Sequence, residues 1–183
     1  MSDRETFPVT IEGIRRDLPL FAVSPHVRIA VFNMLGDTEI ITAAAQGLAA
    51  RLRELDADVL VTAESKSIPL IYHLSMILGK PWVILRKDYK PYMGNALRAE
   101  TLSITTGKPQ TLVLDEKDQS LLRGKRVILV DDVISTGSTL QGMRLLMEKV
   151  GATVAAEAAV LTEGERAQWK DIVALGHLPI FTS

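Results

Sequence analysis

Val127-Ile128-Leu129-Val130-Asp131-Asp132-Val133-Ile134-Ser135-Thr136-Gly137-Ser138-Thr139-Leu140 is the stretch from which the rest of the chain can be read. Four apolar residues in a row, two of them valine, predict a strand buried on both faces, as in a parallel sheet. Two adjacent acids close it, and a loop of hydroxyl residues around Gly137 follows. A helical pattern then sets in, Leu140, Met143, Leu146, Met147 and Val150, and stops at Gly151.

The parts of this stretch suit one kind of chemistry. A helix N-terminus offers unpaired N–H groups and the positive end of a dipole to a phosphate. Gly137 lets the backbone approach the anion, and Ser135, Thr136, Ser138 and Thr139 add hydroxyls. Neither GxxxxGK[ST] nor GxGxxG is present, and the loop carries no lysine. A phosphate held without a fixed cation fits a monoester that stays bound and does not react. The acids can accept from sugar hydroxyls or hold waters around a magnesium ion. A phosphate beside a diol binder describes a ribose 5-phosphate site.

At 183 residues the chain fits one domain, 1–183, with length enough for a core. Hydrophobic and charged contents of 47% and 23% are those of a globular protein, and a net charge of −1 argues against nucleic-acid binding through bulk electrostatics. No cysteine is present, which removes disulfides, thiolate metal sites and thiol nucleophiles together. The polar start, Met1 to Glu5, lacks a leader's apolar region, and no apolar run reaches membrane-spanning length. The expectation is a cytoplasmic protein that meets neither membrane nor nucleic acid.

Residues 1–36 show no dominant period and read as a separate small lobe, with an edge strand around Arg28–Phe32. From Asp37 or Thr38 a helix is predicted to about Leu55, its stripe being Ile40, Ile41, Ala44, Leu48, Leu52 and Leu55. A strand over Asp58–Ala63, a turn at Glu64-Ser65-Lys66-Ser67, a helix over Pro69–Leu78 and a strand over Pro81–Arg86 follow. This alternation predicts an α/β fold with a doubly wound, mostly parallel sheet and helices on both faces. The pattern breaks over 87–110, where Arg98–Thr105 could pair with Thr111–Leu114 as a β-ribbon; such an interruption is usually a mobile lid or binding loop. Beyond the signature, Thr153–Leu161 reads as a strand ended by Thr162-Glu163-Gly164-Glu165. A short helix near Trp169, a last strand at Asp171–Leu175 and an apolar tail over 176–183 complete a core spanning 37–175. His26, His73 and His177 have no metal spacing and read as structural.

The signature resembles the phosphoribosyl-pyrophosphate motif of the type I phosphoribosyltransferases, and three further places look like the purine members, adenine phosphoribosyltransferases most of all. Glu64-Ser65-Lys66-Ser67 sits where that family has an acid-Ser-Arg-Gly turn, which implies pyrophosphate binding by Ser65, Lys66 and Ser67. The chain departs from the pattern at Lys66 and Ser67, and a lysine lacks the bidentate fork of arginine. Arg86-Lys87 and Lys90-Pro91 look like the family's Arg-Lys-x-x-Lys-Leu-Pro stretch, which implies that Arg86, Lys87 and Lys90 meet pyrophosphate. The lobe containing Leu20-Phe21-Ala22-Val23-Ser24-Pro25 looks similar to the hood over the purine ring, so Phe21, Ala22 and Val23 are implied base contacts. The family's loop glutamate, in a Leu-Glu-Tyr-Gly context, has no counterpart here; Glu100 is the nearest candidate.

What the resemblance implies is transfer of ribose 5-phosphate from phosphoribosyl pyrophosphate to a purine, adenine first, with release of pyrophosphate, in purine salvage. Asp131 and Asp132 would hold the ribose, Ser135, Thr136, Gly137, Ser138 and Thr139 the 5-phosphate. Mg2+ would arrive with the donor and waters near the acids, without direct protein ligands. The family is typically dimeric, which implies a homodimer. Two alternatives stay open: a hypoxanthine, guanine or xanthine enzyme, and a regulator that senses the donor without turnover. Such regulators commonly carry an added DNA-binding domain, for which the 36-residue hood leaves no room.

Overall fold

The structure, a computed structural model, describes residues 5–102 and 109–182. Strands β1 (Thr6–Ile11), β2 (Ile14–Ser24) and β3 (Val27–Ala30) form an antiparallel meander. Its period was hidden in sequence because each strand alternates only briefly: in β1 the residues facing the core are Val9 and Ile11, and in β2 Leu18 and Leu20. Helix α1 (Thr38–Leu52) begins where expected, with the Asp37 carboxylate accepting from the Ile40 amide at 3.2 Å. Then come β4 (Val59–Ala63), α2 (Ile68–Leu78) and β5 (Trp82–Leu85). Next are β6 (Leu97–Leu102), β7 (Pro109–Leu114), α3 (Glu116–Leu122), β8 (Arg126–Ile134) and α4 (Ser138–Val150). The order ends with β9 (Thr153–Glu163), β10 (Val173–Leu178) and β11 (Ile180–Thr182).

Five strands make one parallel sheet in the order β10-β9-β8-β4-β5. All five residues of β4 are buried, as a strand covered on both faces requires. On one face Leu60, Ile128, Val130, Ala158 and Val160 pack with α1, α2 and the hood; on the other Val59, Val61, Val127 and Leu129 pack with α3 and α4. The fold class is therefore the expected one, with helices on both faces. From β4 the chain moves one way, to β5; from β8 it moves the other way, to β9. Ligands bind at such a reversal, in the crevice beyond the strands' C-terminal ends.

Several boundaries differ from expectation, each for a physical reason. The signature strand does not end at Val130: Asp131 still pairs with Ala159 and Val133 with Leu161, so both acids lie within the strand. In parallel with it, β9 continues through Thr162 and Glu163. The last core strand is Val173–Leu178 rather than Asp171–Leu175, and the apolar tail is itself a strand: Phe181 pairs with Arg28. The hood is thus a four-stranded sheet, β1-β2-β3-β11, with β3 inside it and not at its edge. The ribbon pairs Leu97–Leu102 with Pro109–Leu114; the remainder of the expected ribbon, 103–108, lies outside the described residues. Its stem is packed on α4, with Ala99 and Leu112 buried and Lys149 Nζ donating to the Arg98 carbonyl at 2.6 Å. Helix α3 has a cap signal at Asp115 but no hydrophobic period, because Leu122 is its one buried residue.

Two contacts fix the hood to α1. Arg16 donates to Asp37 at 2.7 and 3.0 Å and to Glu39 at 2.6 Å. Glu12 pairs with Arg51 at 2.9 Å, lying across Gly47 so closely that a Cβ there would stand 2.6 Å from Glu12 Cγ. Among the described residues no helix is long and apolar enough to cross a membrane.

Candidate active site

Between the hood and the C-terminal ends of β4 and β8 lies a cavity of about 850 Å³. Asp131, Asp132 and the whole loop Ser135–Thr139 line it from below, Lys66 from the turn after β4, and Phe21, Ala22 and Val23 from the hood. Residues far apart in sequence thus meet where the strand order reverses.

The acids are held from across the crevice. Ser67 is 1% exposed and begins α2, yet its hydroxyl does not cap that helix. It donates instead to Asp131 Oδ1 at 3.0 Å, which also accepts from the Asp132 amide at 2.9 Å. Burial, and next the charge of Asp132, push the Asp131 carboxyl up to about 7 against these two bonds. Lys66 Nζ stands 3.8 Å from Asp132 Oδ2. That oxygen is, among the described residues, a buried side-chain atom with no hydrogen bond. An ionic neighbour too far to bond leaves it in want of a donor or a cation's water.

Gly137, at φ 76°, turns the chain into α4. A Cβ there would lie 3.0 Å from Trp169 Cη2, so the position needs glycine for its backbone and for the ring packed against it. Gly137 has no side chain to cap α4 and Thr136 Oγ1 accepts from the Ser138 amide at only 3.4 Å, which leaves the other first-turn amides for an anion. Thr136 Oγ1 and Ser138 Oγ are 3.1 Å apart, and Ser138 Oγ reaches Gln110 Oε1 at 3.5 Å.

Other expected residues stand apart from the cavity lining. Arg86 Nε donates to Glu64 Oε2 at 2.5 Å and the Lys87 amide to Glu64 Oε1 at 2.6 Å. Burial raises the Glu64 carboxyl, but the Lys87 amide and Arg86 outweigh it and hold it below its usual range. Ser65, joined to Glu64 by a cis peptide bond, is exposed, as are the Lys87 and Lys90 side chains. Glu100 is exposed on β6, opposite Thr111. Cavity residues that sequence reading did not assign to the site include Phe32, Gln110, Leu140 and Glu163. For Glu163 a signal existed, an acid closing the apolar run Ala158–Leu161 just as Asp131 closes Val127–Val130.

Among the described residues no three side chains gather as a metal site. The acid pair with its unbonded Asp132 oxygen fits a magnesium ion held through waters and ligand oxygens, and it offers no protein cage.

The family model described as Phosphoribosyl transferase domain matches residues 32–176. The chain belongs to this family. Among curated relatives, an adenine phosphoribosyltransferase of Agathobacter rectalis is 31% identical over 146 residues, 79% of this chain and 80% of that protein. The purine biosynthesis transcriptional repressor PurR of Bacillus subtilis is 30% identical over 143 residues, 78% of this chain and 49% of that protein, so the chain spans about half the length of this relative. In fold, this phosphoribosyltransferase domain is similar to an adenine phosphoribosyl transferase of Trypanosoma brucei solved with AMP, pyrophosphate and ribose-5-phosphate. The TM-score is 0.68 at 24% identity, over 85% of this chain and 73% of that one.

Proposed function

We propose that the protein transfers the ribosyl 5-phosphate group from phosphoribosyl pyrophosphate to a purine, adenine in the first place, and releases pyrophosphate. The observation that carries this is the meeting of acid pair, glycine-turned anion loop and hood in one cavity. Similarity to the Agathobacter enzyme over most of both chains supports adenine.

Cleavage at C1′ places positive charge on the sugar and negative charge on the leaving group. Asp131 and Asp132 suit the former, their oxygens accepting from the ribose hydroxyls. Loop amides and hydroxyls anchor the 5-phosphate, so that remote binding energy positions C1′. Lys66 is the cation for pyrophosphate, joined by Lys87 and Lys90 if the 87–110 segment closes over the site. Magnesium, carried in with the donor, would neutralise developing pyrophosphate charge. Phe21, Ala22 and Val23 form an apolar roof suited to a planar base. A cytoplasmic homodimer is part of this reading; α2 presents Tyr72 and Met76, 54% and 68% exposed, as a face for a second copy.

A second reading, a donor-sensing regulator, is favoured by similarity to the Bacillus repressor. The two separate in one assay: pyrophosphate release from donor and magnesium with adenine, hypoxanthine, guanine, xanthine or orotate. Turnover with adenine above the others is the expected result. Donor binding by calorimetry without turnover of any base would replace the enzyme with the sensor.

A further inference from the structure

The transfer needs a proton acceptor. A neutral purine carries one proton on its imidazole ring, and that proton must leave when the ring's other nitrogen bonds C1′. Glu100 stands outside the cavity, and the candidates within reach are the acids that line it.

Three carboxylates line the cavity: Asp131, Asp132 and Glu163. Asp131 accepts from Ser67 and from the Asp132 amide, and Asp132 has the Lys66 ammonium 3.8 Å away. Glu163 is 5% exposed and, among the described residues, has no cationic partner. A buried carboxylate without a cation beside an anion-binding loop is costly, and the backbone that carries it is held from several sides. Trp169 Nε1 donates to the Glu163 carbonyl at 2.8 Å. His177 bridges its neighbours, with Nδ1 2.9 Å from Thr162 Oγ1 and Nε2 2.9 Å from the Gly164 carbonyl. The carbonyl accepts only, so Nε2 donates to it and His177 ties Thr162 to the turn at Gly164.

Glu163 Oε2 accepts from Ser135 Oγ at 2.5 Å. A serine hydroxyl has one proton to give. With that proton directed at Glu163, Ser135 cannot donate to the 5-phosphate and faces the cavity as an acceptor. We propose that Glu163, acting through the Ser135 hydroxyl, accepts the purine's ring proton; this rests on the transferase reading. As the C1′–oxygen bond breaks, its electron pair leaves with pyrophosphate, and a nitrogen lone pair forms the bond to C1′. The proton on the second imidazole nitrogen passes to Ser135 Oγ while the Ser135 proton passes to Glu163. The products are a neutral nucleotide base, pyrophosphate and protonated Glu163, which returns its proton to water after release.

The test is Glu163→Gln, which keeps an oxygen for Ser135 and cannot take the proton. Donor affinity by calorimetry stays within about twofold, which also reports an intact fold, while kcat for adenine falls by about 100-fold. The loss shrinks to about tenfold for 8-azaadenine, whose ring proton is more acidic. Ser135→Ala combined with Glu163→Gln is no slower than the slower single variant, as for residues acting as a unit. Unchanged kcat in Glu163→Gln, or an equal loss with both bases, overturns the inference and leaves the transferase standing. A parent protein that turns over no base overturns both.

Discussion

The Ser67 hydroxyl donates to Asp131 Oδ1 at 3.0 Å, so the residue that opens α2 fixes an acid of β8 across the crevice. Serine at an N-terminal helix position ordinarily satisfies its own helix. Here that bond ties the start of α2 to β8, while the Ile68 amide donates to the Ser65 carbonyl at 3.3 Å and Pro69 has no N–H to satisfy.

Asp131 makes stability depend on pH. Its folded pKa, about 7, is raised from 3.8, so between those values the unfolded chain has lost the proton that the folded chain keeps. Stability therefore falls as pH rises through that window. Asp131→Asn keeps an oxygen for Ser67 and for the Asp132 amide and removes the ionisation. Its advantage over the parent should grow from little near pH 4 to on the order of 4 kcal/mol at pH 8, read as thermal midpoints. A gap that does not change with pH would contradict the raised carboxyl.

Gly137→Ala meets a positive φ and the Trp169 ring at 3.0 Å. About 1 kcal/mol of stability and about tenfold in donor affinity should be lost. Gly151→Ala is the control: φ is 77° and no atom lies within 4 Å of its added Cβ. It should cost similar stability and leave donor binding alone. Equal donor affinities in the two variants would remove the loop from the phosphate site.

Lys66 sits near Asp132 at 3.8 Å without bonding it, free to turn toward an arriving polyanion. Lys66→Met should weaken donor binding by about tenfold at low salt, with the deficit shrinking as salt rises. Calorimetry at two ionic strengths reads this. Donor affinity equal to the parent's at low salt would mean the lysine is only a solvated loop cation.

Asp37 joins hood to core, and the Arg16 guanidinium, outweighing burial and helped by the Ile40 amide, holds its carboxyl below the usual range. Asp37→Ala should lose about 1 kcal/mol through the missing cap. A depressed folded pKa stabilises above the unfolded value of 3.8 and is lost as pH falls through the folded one, so parent and variant should converge in acid. Midpoints that stay parallel down to about pH 2 would sever the stabilisation from that charge.

Much of this was legible in sequence where the signal is local. Asp37 and the stripe from Ile40 to Leu52 mark α1, and one continuous stretch carries the anion loop and acid pair. What escaped is what neighbours impose. The signature strand runs on through its acids because β9 runs on beside it. Helix α3 buries one leucine, too few to set a period. Glu163 belongs to no motif; only the folded chain brings it to Ser135. The cations Arg86, Lys87 and Lys90 read as a ligand cluster, yet Arg86 and the Lys87 amide are occupied by Glu64.

The pairing of Phe181 with Arg28 also sets an order of assembly. A sheet whose partners are so distant along the chain cannot close while the ribosome still holds its last strand. A nascent chain arrested after Leu178 already contains the acid pair, the anion loop and all five strands of the parallel sheet, but its roof lacks a strand. The strand that completes the hood is therefore made after every strand of the parallel sheet, so the layer below the cavity can form before the layer above it is whole.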